Sequence, residues 1–443
     1  MNFWQRHSIL FHSRNLLLCA ILVAILPLLA SPHDPSSADA ETAFSSAEPW
    51  TPTVRVVGQS DTSCPNARYT TITEAVNAAS PGDEIDICPG LYPEQLVVTK
   101  PLTLRGIEVN EVKRVLLQPL LVDLLSLPTE AVITVMNTQG VNIENLAIDA
   151  SHNSVSGCSP GVAGIHFSNS SGTVANNAIF GAHLANPLSC TTLPFGNGFG
   201  VLVDGNLPGP FRVSINQNSI HNYTANGVQV NGAGTRITAE IHGNTISGVG
   251  PSSGIFQFAV FVLNGAVGKI SSNVITEGLC GALSSVDCIN VRSEGVTLRA
   301  VGNGTVVDRN IITNAQSGIF INGGNNARIT NNQISNIDAM SGMDIQGTAS
   351  GFLTNSVIEG NTIFNVGPIG ADASNDEEGC GINEYSGTGV SGNSISNNTI
   401  NDAYCGVAYV TTDHLGPNVF LNTLYTVLNS DLYPSMYPPA VEP

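Results

Sequence analysis

Charge is scarce in this chain. Only 11% of its 443 residues are Asp, Glu, Lys or Arg, with 15 basic against 34 acidic residues and a net charge of −19. So little charge leaves little material for solvent-exposed helices. The shortage of cations argues against nucleic acid and anionic membrane surfaces as partners. A strongly anionic polymer also fits poorly unless a local cationic patch exists. Membrane-length apolar runs are missing too. Leu16–Ala30 holds fifteen apolar residues, short of the roughly 20 that cross a bilayer. Behind Arg6 and Arg14, it fits the core of a signal peptide (residues 1–30), with cleavage after Ala30 or after the Ala38-Asp39-Ala40 triplet. No Cys-x-x-Cys spacing occurs, and the histidines form no close pair on one strand, so zinc and copper have no ligand set. Only His166, outward on a strand beside the first long loops, merits a test.

Turn residues are abundant, with 45 Gly and 24 Pro, and the sequence repeats. The pattern [Ile/Val]-x-x-Asn-x-[Ile/Leu] places its Asn at Asn177, Asn218, Asn244, Asn273, Asn310, Asn332, Asn361, Asn398 and Asn422, after a looser copy at Asn145. The tightest interval, Asn310 to Asn332, is 22 residues. Between copies sits Gly followed by alternating apolar residues, at Gly164, Gly200, Gly227, Gly318, Gly342 and Gly406. Alternation over four residues reads as a short strand with one buried face. Two such strands cannot make a core alone, but stacked copies bury a continuous one. Asn at a fixed place suits a sharp left-handed turn and a ladder of amides between stacked units. Its role is structural.

A 22-residue minimum with short strands resembles the right-handed parallel β-helix of the pectin-lyase-like superfamily. The expected fold is therefore all-β, a solenoid of about 11–12 coils over residues 67–428. A flexible leader (31–66) precedes it and a Pro-rich tail (429–443) follows. Thr71-Ile-Thr-Glu74 is a capping box, and Ile72, Ala75, Val76 and Ala79 fall at helical spacing, so a short helix caps the first coil. The segment Tyr69–Asp83, with Gly90-Leu-Tyr92-Pro-Glu94 after it, is similar to the opening of nitrous-oxide-reductase maturation β-helix proteins and of pectin methylesterases. The likeness concerns the scaffold, because this segment starts a coil in all of them.

Eight cysteines follow the leader, which carries the ninth, Cys19. Repeat phase places the last six on one edge of successive coils, and coils stacked at ~4.8 Å suit disulfide geometry. Pairing in sequence order is expected: Cys64–Cys88, Cys158–Cys190, Cys280–Cys288 and Cys380–Cys405. The long insertions (149–163, 180–199, 247–257, 276–287, 364–380) share that edge.

Outward positions of the Gly-led strands stack into two columns. One reads His166, Leu202, Gln229, Asn290, Phe320, Asp344, Asn383, Ala408. The other reads Ser168, Asp204, Asn231, Arg292, Asn322, Gln346, Tyr385, Val410. The stretch Asn290, Asn322, Gln346, Asn383, Tyr385 suits a sugar polymer, with amides meeting hydroxyls and a ring meeting a ring. Glu384 falls at an inward position, so either a bulge re-aims it or a carboxyl is buried with a raised pKa. Together with Asp344 and Arg292 it forms the candidate catalytic set, adjacent coils lying near the ~5–5.5 Å carboxyl spacing of retaining glycosidases. The acidic loop Asp372–Glu378 reads as solvated, with Ca²⁺ as the alternative cofactor; otherwise no cofactor is expected. Catalytic signatures of pectin methylesterase, polygalacturonase, pectate lyase and alginate epimerase are missing. Three functions stay open: an exported, monomeric protein binding extracellular polysaccharide or cell-surface matrix, a polysaccharide lyase or hydrolase, or metal delivery.

Overall fold

In the computed structural model the described residues are 52–58, 64–108, 115–122, 129–153, 161–184, 197–249, 256–278, 293–338, 340–347, 353–367, 379–385 and 389–429. The leader, Cys158, Cys190, Cys280, Cys288, Asn290, Arg292, the loop 372–378 and residues 430–443 lie outside them. Strand pairing is parallel throughout these residues. One sheet has thirteen strands and a second has twenty-four. The second consists of two rows that merge at Thr399–Tyr409, which pairs with both Thr362–Val366 and Cys380–Glu384. Each coil thus has three faces around one core, wound in the right-handed sense that parallel crossovers take. The protein is a right-handed parallel β-helix. Val54–Val57, within the expected flexible leader, already pairs in register with Glu84–Ile87.

The core is a set of inward columns. Ile143, Val174, Ile215, Ile241, Ile270 and Val307 are successive register partners on the thirteen-stranded sheet, and all are fully buried. Each such side chain contributes roughly 1.5–3 kcal/mol. Glycine heads the long strands for a steric reason. A Cβ on Gly318 would lie 2.5 Å from both the Gly342 carbonyl oxygen and the Ile334 Cγ2. The same crowding recurs at Gly164, Gly200, Gly227, Gly295, Gly342 and Gly381, so at each of these the neighbouring coil takes the space of a Cβ.

The corner between the thirteen-stranded sheet and the short strands carries the asparagine ladder. It runs Asn177, Asn218, Asn244, Asn273, Asn310, Asn332, Asn361, Asn398 and ends at Asn418. In each rung the Oδ1 accepts from the backbone N–H and the side-chain amide of the Asn one coil before. The Nδ2 also donates to a backbone carbonyl, as Asn310 does to Ile270 O at 3.0 Å. The left-handed residue is the one before the rung, such as Asn176 (φ 58), Gln217 (φ 56) or Arg309 (φ 55). Two expected members are therefore corrected. Asn145 and Asn422 are themselves left-handed (φ 59 and 51) and off the ladder; Leu146 takes the first rung through its N–H to Asn177.

The first coil is closed by the helix Ile72–Ala78, with Ile72, Ala75 and Val76 buried. Thr71 Oγ1 accepts from the Glu74 N–H, as the capping box requires. The other orphan donors go to Glu94, whose carboxylate accepts from the N–H groups of Ile72 and Thr73, both at 2.8 Å. Tyr92 donates its hydroxyl to Cys88 O at 2.7 Å. Burial and the Glu94 charge push its pKa up to about 12. The Gly-x-Tyr-x-Glu motif is thus a capping device. Cys64–Cys88 and Cys380–Cys405 are disulfides, the latter between register partners. Among the described residues, no helix is long and apolar enough to cross a membrane.

Candidate functional site

Register decides which side chains share the outward face of the long strands. The first column is Thr134, His166, Leu202, Gln229, Phe261, Thr297, Phe320, Asp344, Asn383, Ala408. The second contains Asn231, Leu263, Arg299, Asn322 and Gln346, followed in the next coil by Tyr385, whose N–H donates to Ile345 O of the coil before. Two expected positions are therefore corrected. The strand of that coil begins at Ser293, so Thr297 and Arg299, not Asn290 and Arg292, stand in the columns. A further coil, Gln257–Leu263, adds Phe261 and Leu263.

The columns differ in exposure. Thr297, Phe320, Asp344 and Asn383 are buried, while Arg299, Gln346 and Tyr385 are half-buried. Asp344 is fully buried and orients its neighbours: it accepts from Ser317 Oγ at 2.8 Å and from the Tyr385 hydroxyl at 3.2 Å. Tyr385 is thereby held on the strip between polar neighbours. Asn322 lies between Arg299 and Gln346 in the register, 8% exposed, and its amide oxygen has no donor among the described residues. A buried acceptor left in that state costs roughly 1–3 kcal/mol.

Glu384 follows the second of the two alternatives. Met343, Asp344 and Ile345 pair consecutively with Ile382, Asn383 and Glu384, so no bulge intervenes. Its carboxyl accepts from the Val410 N–H at 3.2 Å. Burial pushes its pKa well up, and the nearby Asp413 carboxyl pushes the same way. Because side chains alternate along a strand, Glu384 and Asp344 face opposite sides of the sheet. The expected acid/base pair is not assembled, and Arg292 lies outside the described residues.

Two further polar groups stand out. His166, 3% exposed, is hydrogen-bonded to Asp204 of the next coil (Nε2 to Oδ1, 3.0 Å). The columns held this pair, since Asp204 stands one coil on and two residues along. Glu277 was not foreseen. It is fully buried, accepts from the Tyr223 hydroxyl, and burial pushes its pKa well above the carboxylate range. The spacing Ile275-Thr276-Glu277, with Ile275 inward, was the available signal. On the thirteen-stranded sheet, a shallow pocket of about 260 Å³ is lined by Ser214, Asn216, Glu240, His242, Lys269 and Ser271. The Lys269 ammonium there is engaged by Gly304 O. No group of three His, Cys, Asp or Glu side chains is placed to hold a metal among the described residues.

Residues 200–424 match the family described as "right handed beta helix region". No curated protein matches the chain. Among solved structures it is similar to the tailspike of Acinetobacter baumannii bacteriophage Fri1, a capsular polysaccharide depolymerase, at 12% identity and TM-score 0.51, over 85% of this chain and 62% of that one. It is also similar to the Dettilon tailspike, at 14% identity and TM-score 0.46, over 76% of this chain and 62% of that one. A third is a mannuronic-acid-specific polysaccharide family 6 lyase from human gut microbiota, at 12% identity and TM-score 0.43, over 82% of this chain and 89% of that one. At these identities the likeness is one of fold, and this chain spans 62% of the length of each tailspike.

Proposed function

Since the chain belongs to the right-handed β-helix family, we propose that it is an exported protein that binds an extracellular polysaccharide along the strip Arg299, Asn322, Gln346 and Tyr385. Export accords with the apolar leader and with the two disulfides, which persist in oxidising compartments. One observation carries the site: among the described residues the Asn322 amide oxygen is buried without a donor, beside half-buried polar neighbours. A sugar hydroxyl or acetamido N–H supplies the missing donor, while the Tyr385 ring gives an apolar platform whose hydroxyl is pinned by Asp344. Arg299 provides a cation in an otherwise acidic chain. Binding without cleavage is the reading favoured, because the two candidate carboxyls lie on opposite faces.

The test uses the purified mature chain against neutral and anionic polysaccharides, read by affinity electrophoresis and by release of reducing ends or unsaturated products. Binding without product release is expected. Tyr385→Ala should cost about 2 kcal/mol, roughly 30-fold in Kd. Asn322→Ala should weaken binding about 5-fold, yet leave stability within ~1 kcal/mol, because it deletes a group already unsatisfied. Product release abolished by Asp344→Asn would replace this reading with an enzymatic one. Binding untouched by both strip variants would remove the site.

A further inference from the structure

The pocket on the thirteen-stranded sheet is built by the outward positions of three consecutive coils. Ser214, Glu240 and Lys269 are register partners in one row, and Asn216, His242 and Ser271 in the other. Glu240 and His242 are exposed, and the other four are half-buried. The polar rows stop where the pocket stops: the next coil sets Val306 beside Lys269, and the coil before sets Ala175 beside Asn216. Neighbouring strands lie ~4.8 Å apart, so the Glu240 carboxylate and the Lys269 ammonium are within reach of one another. No ion pair joins them. The ammonium donates instead to Gly304 O, and the Glu240 carboxylate has no partner among the described residues. Smaller groups around the two charges are already engaged on one side only. Asn216 Nδ2 donates to Ser214 Oγ at 3.1 Å, which leaves Oδ1 to accept, and His242 Nδ1 lies 3.4 Å from Ser271 Oγ, which leaves Nε2.

We propose that this pocket binds a small zwitterion, an α-amino acid, with its ammonium on Glu240 and its carboxylate on Lys269. Three features select that class. The lining holds one charge of each sign, kept apart, so an anion or a cation alone meets one attraction and one repulsion. A neutral sugar meets no repulsion but neutralises neither charge, whereas a zwitterion gives each a charge-assisted hydrogen bond, roughly twice as strong as a neutral one. The volume of about 260 Å³ also lies below the roughly 300–1,000 Å³ of pockets for drug-sized ligands, which suits a molecule of few heavy atoms. Asn216 Oδ1, one coil before Glu240, is a second acceptor for the ammonium. A ligand without net charge also escapes the repulsion of a chain with a net of −19. The strip at Arg299–Tyr385 takes no part, so the inference stands independently of glycan binding.

Saturation-transfer NMR and calorimetric titration of the full mature chain with L-alanine test this. Saturable binding with Kd on the order of 1 mM is expected for so few ligand atoms. Acetate, ethylamine and glucose, each lacking one or both charges, should bind at least 10-fold more weakly. Glu240→Gln and Lys269→Met keep the size of the side chain while removing its charge. Each should weaken L-alanine at least 10-fold and leave the urea midpoint and polysaccharide binding unchanged, and Tyr385→Ala should leave L-alanine binding as it was. Absence of saturable L-alanine binding overturns the proposal. So does acetate, ethylamine or glucose binding as tightly, or L-alanine binding that ignores either pocket variant.

Discussion

Replacing Asn310 by alanine should damage this protein far more than replacing Asn422, although the two occupy the same place in the sequence pattern. Asn310 is fully buried. Its Oδ1 accepts from the Asn273 N–H at 3.0 Å and from Asn273 Nδ2 at 2.9 Å. Its Nδ2 donates to Ile270 O and to Asn332 Oδ1, both at 3.0 Å. Alanine strands the Asn273 N–H and the Ile270 carbonyl where water does not reach. At ~1–3 kcal/mol for each buried orphan, Asn310→Ala should cost about 3–5 kcal/mol. Asn422 is exposed and off the ladder, with one side-chain bond among the described residues, to Asn401 Oδ1 at 3.1 Å, so Asn422→Ala should cost under ~0.5 kcal/mol. Urea unfolding followed by circular dichroism reads both as midpoint shifts at unchanged slope. Equal shifts, or a loss below about 1 kcal/mol for Asn310→Ala, would refute the ladder as the device that holds coils together.

The buried carboxyls Glu277 and Glu384 keep their protons in the folded chain where the unfolded chain has released them. Stability should therefore be full below the ordinary Glu value of 4.5 and fall as pH rises from there toward the folded pKa. The limiting slope is about 1.4 kcal/mol per pH unit for each group. Tm measured from pH 4 to 8 should decline, and Glu277→Gln should flatten the decline; a rise over that range contradicts the burial. Gly318→Ala forces a Cβ to within 2.5 Å of Gly342 O and should cost about 1–3 kcal/mol. Gly367→Ala, with open space at that point, should stay within ~0.5 kcal/mol in the same unfolding assay. Glu94→Ala removes the acceptor for two N–H groups of the capping helix and should cost about 1–2 kcal/mol. An unchanged midpoint would show that the helix is held by packing alone.

Much of the scaffold was legible because close packing imposes residue types at a fixed place in each turn. Gly318 and Gly342 mark strands since a Cβ there would lie 2.5 and 2.6 Å from a carbonyl oxygen of the next coil, and Asn177 or Asn332 mark a corner since their amides donate to a backbone carbonyl and accept from the coil before. The reading failed where a landmark was replaced or doubled. In the coil Gln257–Leu263 the glycine position is Ala259, so Phe261 and Leu263 were passed over. In the next coil, two alternating stretches precede Arg299. Cys288–Arg292 alternates as well as the stretch led by Gly295, and only the register between coils selects the second and with it Arg299. Glu384 illustrates a different limit. Its inward place followed from alternation, but its tolerance there depends on Val410 and Asp413, a coil away. Such tertiary partners leave no mark in local pattern.

The most direct test of the account is amide hydrogen exchange with and without the polysaccharide that the binding panel selects. The strip predicts protection in four separate peptides at once, those holding Arg299, Asn322, Gln346 and Tyr385. These residues lie far apart in the chain but in successive coils, and the peptides spanning Glu240 and Lys269 on the opposite sheet should be unchanged. Protection confined to a single peptide, or falling on the thirteen-stranded sheet instead, would contradict it.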